Sequence, residues 1–388
     1  MNRFVYDIPT KVYFGENHLK KLGSEVSQYG KKVLLTYGGG SIKKSGLYDK
    51  VIAELEKAGL EIFELAGIDP NPRVTSVTEG AEICKREGID VLLAVGGGSV
   101  IDCTKFIGAA AFYDGDAWDI SIGKAPVEKC LPIISVLTLS ATGSEMDAMG
   151  VISNLETKEK VGMGSPLMQP KVSFLDPTTT YTVSKFQTAC GAADMLNHIM
   201  EIYFNRENDL FMLDRVMEGL MKTIIQYGPI AMAEPNNYEA RANLMWTSSW
   251  AINGFLKGSK RQAWTCHPIE HELSAYYDIT HGLGLAIIAP RWLTYTLDED
   301  NVSKFYDFGV NVFDIDKSLE PMVVAKQSIE KLEDFLFNTL ELQSTLTEIG
   351  IDETHFEIMA KKACQDGVLE GFKPLRAEDI VNIFKMCL

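Results

Sequence analysis

Two short apolar runs that end on glycine triplets constrain the fold of this chain more than any other feature. Val33–Tyr37 (VLLTY) runs into Gly38-Gly39-Gly40-Ser41, and Val91–Val95 (VLLAV) runs into Gly96-Gly97-Gly98-Ser99. An unbroken apolar run of this length has no polar alternation. As a strand it is buried on both faces, the situation of a parallel sheet covered by helices. The surrounding segments fit that frame. Ser45–Ala58 and Val74–Glu87 carry apolar residues at helical spacing and stop at Gly59 and Gly88, and Val100–Ala111 is a third helical stretch. Glu61–Leu65, Ile133–Leu137 and Val172–Leu175 read as further strands, the last halted by Asp176-Pro177. Strands alternating with helices predict an α/β domain built on a parallel sheet with helices on both faces.

Past residue 184 the texture changes. Ser184 followed by Gln187 has the form of a capping box at a helix start. Helical patterns then dominate, over 185–203, 209–226, 237–256, 283–297 and 320–347. The expected organisation is an α/β domain over 1–183 and an all-helical domain over 184–388.

The glycine triplets also carry chemistry. Glycines between a strand and a helix let the backbone approach a phosphate closely, and the helix that follows presents its N–H groups and the positive end of its dipole. Gly97, Gly98 and Ser99 have this placement, and Gly38, Gly39, Gly40 and Ser41 repeat it. Neither turn completes G-x-G-x-x-G or continues into GK[ST], so neither is a standard dinucleotide or P-loop fingerprint. A pair of tight structural turns is the plainer alternative. A third segment, Thr138 to Glu145 (TLSATGSE), puts four hydroxyls and a glycine after a strand, where ligands lie against open α/β sheets.

Downstream, four of the six histidines gather in one pattern. Asp194 and His198 are four apart, as are His267 and His271, and His281 follows ten residues after His271. Residues four apart share a helix face and can reach a common ion, and imidazole with carboxylate is an ordinary transition-metal ligand set. A lone histidine on an apolar helix is usually a core residue, but two such pairs and a third histidine point to a metal site. Pro268 places His267 in the first turn of a helix that runs to about Tyr277. One alternative stays open: His267-Pro268-Ile269-Glu270-His271 matches H-x-x-E-H, the inverted zinc-protease pattern, with Glu270 as general base.

Composition narrows the partners. A formal net charge of −16 repels nucleic acid and anionic membrane surfaces, so neither is expected as a partner. No apolar run reaches transmembrane length, and MNRFVYDIPT lacks a signal-peptide core. Seven scattered cysteines without a CxxC pair are expected to be reduced thiols in a cytoplasmic protein. Trp246, Trp250, Phe255 and Trp264 precede His267, as core residues or as the wall of an apolar pocket.

Taken together these motifs resemble the iron-containing (group III) alcohol dehydrogenases, most closely their butanol-dehydrogenase-like branch. The resemblance runs through GGGSIKKSG, the DPNP turn at 69–72, GGGSVID at 96–102, ATGSEM at 141–146, DMLNH at 194–198 and CHPIEHELSAYYDITHG at 266–282. It implies a dehydroquinate-synthase-like architecture of a Rossmann-like N-terminal domain and an all-α C-terminal domain, with a metal held by Asp194, His198, His267 and His281. His271 is then placed on the nicotinamide and substrate side as a proton relay, off the metal. Asn71, Asp102, Thr138, Thr142 and Lys160 join the glycine turns as cofactor contacts. The implied activity is metal-dependent hydride transfer on short to medium-chain primary alcohols and aldehydes, with Fe(II), or alternatively Zn, as the ion and a homodimer as the assembly. Two departures stand out: Leu139 follows Thr138 where many members pair threonines, and Pro268 is not required by the pattern. NAD-specific sites usually place a carboxylate on the ribose 2′-OH. The 38–41 turn has none and is followed by Lys43 and Lys44, so NADP(H) is expected to be preferred over NAD(H).

Overall fold

A computed structural model describes residues 3–207, 211–258, 264–365 and 367–388. Among the described residues eight strands are formed: β1 (Lys11–Phe14), β2 (Lys32–Tyr37), β3 (Glu61–Leu65), β4 (Val91–Gly96), β5 (Ile133–Leu137), β6 (Met149–Asn154), β7 (Glu159–Gly164) and β8 (Val172–Leu175). Six of them make one sheet in the order β1-β8-β5-β4-β2-β3, with every pairing parallel. β6 and β7 form a separate antiparallel hairpin.

The apolar runs are covered on both sides, as unbroken hydrophobicity requires. Leu34, Leu92 and Ala94 point into a core shared with Val77, Ala81, Ile101 and Ile107 from the helices Val74–Glu87 and Gly98–Ala110. Their sequence neighbours Val33, Leu35, Val91, Leu93 and Val95 enter a second core with Leu22, Val26, Val51 and Leu55. Strand periodicity thus divides one apolar run between two layers of helices.

Parallel register brings the chemistry to one edge. Tyr37 pairs with Val95, and Gly96 pairs with Leu137. The glycine turns at 38–41 and 96–98 and the segment from Thr138 therefore leave the carboxyl ends of three neighbouring strands, where ligands bind in open α/β sheets.

The chain divides into two compact units. One is Asp7–Val183 with Pro235–Asn253; the other is Ser184–Glu234 and Gly254–Leu388, together with the segment ending at Tyr6. The second is helical, with Lys185–Tyr203, Phe211–Ala233, Cys266–Tyr277, His281–Thr296, Val302–Phe313 and Pro321–Glu333 as its main helices. The chain changes texture at Val183/Ser184, but the 184–388 expectation needs one correction. The helix Tyr238–Ile252 packs on the α/β unit: Gly143 fits against the Ser248 carbonyl and Ile252, and Trp246 packs edge-on against Phe14. Its return is a tertiary contact without a local sequence signal. The helical pattern expected over 209–226 begins outside the described residues; from Phe211 it continues through Pro229 to Ala233. Among the described residues no helix is long and apolar enough to cross a membrane.

Candidate functional site

The helix Lys185–Tyr203 begins with Ser184, whose hydroxyl accepts the Gln187 N–H at 3.2 Å, and is buried along most of its length. Asp194 and His198 lie one turn apart in its middle. The helix Cys266–Tyr277 carries His267 and His271, with Pro268 in its first turn, where a missing N–H costs nothing. His281 is the first residue of the helix His281–Thr296.

Three imidazoles converge on one carboxylate oxygen. Nε2 of His198, His267 and His281 lie 3.6, 3.9 and 3.8 Å from Asp194 Oδ1. The His198 and His267 rings stack with centroids 4.6 Å apart, and the His281 ring stands 5.2 Å from that of His267. Asp194 Oδ1 and His267 Nε2 are buried without a hydrogen-bond partner. Buried polar atoms are nearly always satisfied, so orphaned acceptors aimed at one point are the mark of a cation site. A divalent metal fits this donor set. Burial pulls His198 down to about 4, with Asp194 opposing, so the ring is neutral and able to ligate at ordinary pH.

His271 stands apart. Its ring centroid is 5.6 Å from that of His281 and 6.3 Å from that of His267, and it is half-buried. A second set of potential ligands, Glu270, His271 and His281, is also close together. It is the weaker candidate, because Glu270 already accepts hydrogen bonds from His281 Nδ1 and the Ser274 hydroxyl. The same contacts dispose of the H-x-x-E-H alternative. A general base needs a carboxylate that can reach water, and Glu270 is fully buried.

Two residues that motif spacing did not single out as positioning groups surround the ligands. Glu201 accepts from His267 Nδ1, and Glu270 from His281 Nδ1. Glu201 sits seven residues after Asp194 on the same helix, a two-turn spacing that is visible in the sequence once the metal face is known. Of the four aromatics upstream of His267, Trp264 is at the site, 4.7 Å from the His267 ring and 5.8 Å from the His198 ring. Trp246 and Trp250 pack on each other, and Phe255 packs on Tyr6.

In the α/β unit the turns are as narrow as a phosphate cradle demands. A Cβ on Gly98 would stand 2.2 Å from Thr142 Oγ1, and one on Gly97 would stand 3.2 Å from Leu139 Cβ. The helix Gly98–Ala110 begins with no side-chain cap on its N-terminus. Thr138 donates its N–H to Gly96 at 3.0 Å, holding the hydroxyl segment beside the turn. Gly39 has open space on its Cβ side, Gly40 has φ of 99°, and Ser41 starts a short helix.

Asn71 takes a left-handed backbone, φ 52°, and is buried. Lys160 is also buried, 7% exposed, and is not the surface lysine its surroundings in the sequence imply. It pairs with Ser153 across the hairpin, and Ser153 donates to the Pro72 carbonyl at 2.8 Å, which brings Lys160 beside the 71–73 loop. Asp102 is tied into the protein itself. Oδ1 accepts from the Ser144 hydroxyl at 2.5 Å and Oδ2 from the Val151 N–H at 2.9 Å. Its carboxylate is joined through Ser144 to the fully buried Lys105, which also binds Asp147 at 2.6 Å.

The profile of the iron-containing alcohol dehydrogenases matches residues 9–177, and that of the Fe-containing alcohol dehydrogenase family C-terminal region matches 188–388. The chain is 49% identical to NADH-dependent butanol dehydrogenase A of Clostridium acetobutylicum over 387 residues, 99% of each chain. It is 35% identical to the NADPH-dependent aldehyde reductase YqhD of Escherichia coli, with 95% of each chain covered. Among solved structures, NADH-dependent butanol dehydrogenase A of Thermotoga maritima superposes with a TM-score of 0.95 at 39% identity, over 100% of this chain and 99% of the other.

Proposed function

The chain belongs to the iron-containing alcohol dehydrogenase family, and from that membership we propose that it interconverts short to medium-chain primary alcohols and aldehydes of the butanol/butanal type. The observation that carries the reading is the convergence of three imidazole Nε2 atoms on Asp194 Oδ1. Asp194, His198, His267 and His281 would hold one divalent ion. That ion would supply Lewis acidity to the substrate oxygen, which an alcohol needs to give up hydride at neutral pH. Four protein ligands would close a tetrahedral zinc site, whereas catalysis needs an open position. A metal that accepts higher coordination suits that need, so we assign Fe(II), with Zn as the second choice.

The remaining work falls to the protein's own groups. Gly97, Gly98 and Ser99 would cradle the pyrophosphate at the helix N-terminus. Gly38 to Ser41, Asn71, Thr138, Thr142 and Lys160 would orient the rest of the nicotinamide cofactor. Asp102 acts behind them, holding Ser144 in the hydroxyl segment. His271 would move a proton at the substrate oxygen, and Trp264 would exclude water beside the ligands.

The surroundings of Lys43 do not favour NADP(H) over NAD(H). Lys43 was expected to favour a 2′-phosphate, but its ammonium lies 5.0 and 4.5 Å from the ring centroids of Tyr37 and Tyr48. Both phenols donate to Glu64 at 2.6 Å. The carboxylate offsets the lysine, so the cluster is not a free cation for phosphate. The name of the relative at 49% identity supports NADH, and that of the relative at 35% supports NADPH. We therefore infer that NADH serves at least as well as NADPH. A cytoplasmic homodimer completes the reading; the seven unbridged cysteines, six of them buried, support a reducing compartment.

Steady-state rates with an aldehyde panel and both cofactors test the proposal. Butanal should be reduced, with kcat/KM for NADH equal to or above that for NADPH. Peptide or ester cleavage without nicotinamide, abolished by Glu270→Ala, would support the hydrolase instead.

A further inference from the structure

The ring nitrogens that face away from Asp194 meet buried carboxylates on two of the three histidines, and the third histidine has none. Glu201 Oε1 accepts the backbone N–H of Thr265 at 2.6 Å, of Cys266, and of His267 at 3.3 Å. Its Oε2 takes His267 Nδ1. Glu270 Oε2 takes His281 Nδ1, and its Oε1 takes the Ser274 hydroxyl. Both carboxylates are buried, at 3% and 0% exposure. His198 Nδ1 is buried with no hydrogen-bond partner.

We propose that Glu201 and Glu270 are positioning residues that lock His267 and His281 as Nδ1–H tautomers, leaving both Nε2 lone pairs aimed at the cation position before any ion binds. The inference rests on the metal-site reading above. A neutral imidazole carries one N–H, and an ionised carboxylate only accepts. The hydrogen must then lie on Nδ1 in both rings, which matches the unpartnered Nε2 of His267. Such carboxylate–histidine pairs also raise ligand basicity and fix ring orientation.

Glu201 does a second job with its other oxygen. The helix Cys266–Tyr277 has no side-chain cap from Thr265, and the Glu201 carboxylate takes three N–H groups at that helix start instead. One side chain on the Asp194 helix therefore sets both where the His267 helix begins and which nitrogen of His267 is free. The H-x-x-E-H match gains its explanation here as well: Glu270 serves His281, eleven residues on, and not a water.

The two sites respond differently to an isosteric amide. In Glu201→Gln the amide oxygen must stay with the backbone N–H groups, so the amide nitrogen faces His267 Nδ1. That ring must then accept at Nδ1 and carry its proton on Nε2, the ligating atom. In Glu270→Gln the amide can turn. Its oxygen stays with His281 Nδ1, its nitrogen faces Ser274, and the Ser274 hydroxyl donates instead to the Ile279 carbonyl, already 3.4 Å away.

The test is Zn(II) and Co(II) affinity of the full chain, measured by chelator competition, with Co(II) absorption bands as a spectroscopic readout. Glu201→Gln should weaken binding about ten- to hundredfold, the usual effect of losing such a partner. Glu270→Gln should stay within about threefold, and Glu270→Leu should weaken binding about tenfold or more. NADH binding and metal-free melting curves report whether each variant folds. Imidazole 15N shifts of the wild-type chain after chelation provide an independent arm. Two histidines should show a protonated Nδ1 and a bare Nε2. Affinity of Glu201→Gln equal to wild type, equal losses in both glutamine variants, or Nε2–H tautomers at both histidines would each overturn the inference. Wild-type protein that binds no metal would instead overturn the functional reading beneath it.

Discussion

A Cβ on Gly282 would stand 2.1 Å from the carbonyl oxygen of Cys190. The helix that starts at His281 thus rests directly on the backbone of the helix carrying Asp194 and His198, at a distance only glycine permits. Two residues on, a Cβ on Gly284 would stand 2.7 Å from Glu270 Cγ, so this position also leaves room for the carboxylate that holds His281. Gly282→Ala should push His281 away from Asp194. The expected result is metal binding weakened by about tenfold or more, since a small displacement of one ligand spoils the set. Chelator competition on the variant checks it, with NADH affinity unchanged as the control.

Lys105 is fully buried and binds Asp147 at 2.6 Å, the Ser144 hydroxyl at 2.8 Å and the Met149 carbonyl at 2.5 Å. Burial raises the Asp102 carboxyl to about 6, opposed by the nearby lysine charge. Lys105→Met should leave two buried aspartates without their cation and cost about 3–5 kcal/mol in chemical denaturation. Because Ser144 lies in the hydroxyl segment beside the glycine turn, KM for the nicotinamide should rise as well. A variant with wild-type stability and wild-type KM would contradict this role.

Glu145 adds a pH dependence. It is fully buried, accepts from the Ser249 hydroxyl through one oxygen, and has no hydrogen-bond partner on the other. Burial pushes its carboxyl from 4.5 up to about 7, with the Ser249 hydrogen bond opposing. A carboxyl raised in the folded state contributes stability that is complete below its unfolded value and is lost as pH rises through about 7. The shift corresponds to roughly 3 kcal/mol at most. The melting temperature of Glu145→Gln should therefore gain on that of the wild type between about pH 5 and pH 8. A difference that is flat across this range would refute the assignment.

The cofactor prediction concerns Gly39, whose Cβ side is open and whose backbone is not left-handed. An aspartate fits there without strain and would repel a 2′-phosphate. Gly39→Asp should raise the ratio of kcat/KM for NADH over NADPH about tenfold, or about 1.4 kcal/mol. Loss of both activities in parallel would mean that this turn does not face the adenosine ribose.

Much of this was legible in residues taken alone. Apolar runs ending in glycine define β2 and β4, and β3, β5, β8 and the helices Val74–Glu87 and Lys185–Tyr203 occur at the residues their patterns indicate. The i,i+4 pairs place their side chains on shared helix faces because helical geometry is local. What was not legible is what depends on tertiary contact. β1 is a four-residue edge strand, and β6 and β7 are glycine-containing strands without clean alternation. The helix Tyr238–Ile252 has almost no apolar face of its own, and its partners lie in the other half of the chain. Glu201 reads as an ordinary helix carboxylate, and Glu270 as the general base of an H-x-x-E-H motif, until the imidazoles they hold are in place, and Lys160 gives no sign in sequence that a hairpin buries it.

The central claim is that catalysis runs through a metal held by Asp194, His198, His267 and His281. Metal content measured beside butanal reduction, as a chelator is titrated into freshly purified protein, tests it most directly. The account predicts one divalent ion per chain, turnover falling in proportion to ion removed, and restoration on adding Fe(II). An Asp194→Asn protein should be metal-poor and inactive yet still bind NADH. Turnover that persists after the ion has gone, or an active protein that never held one, would contradict it.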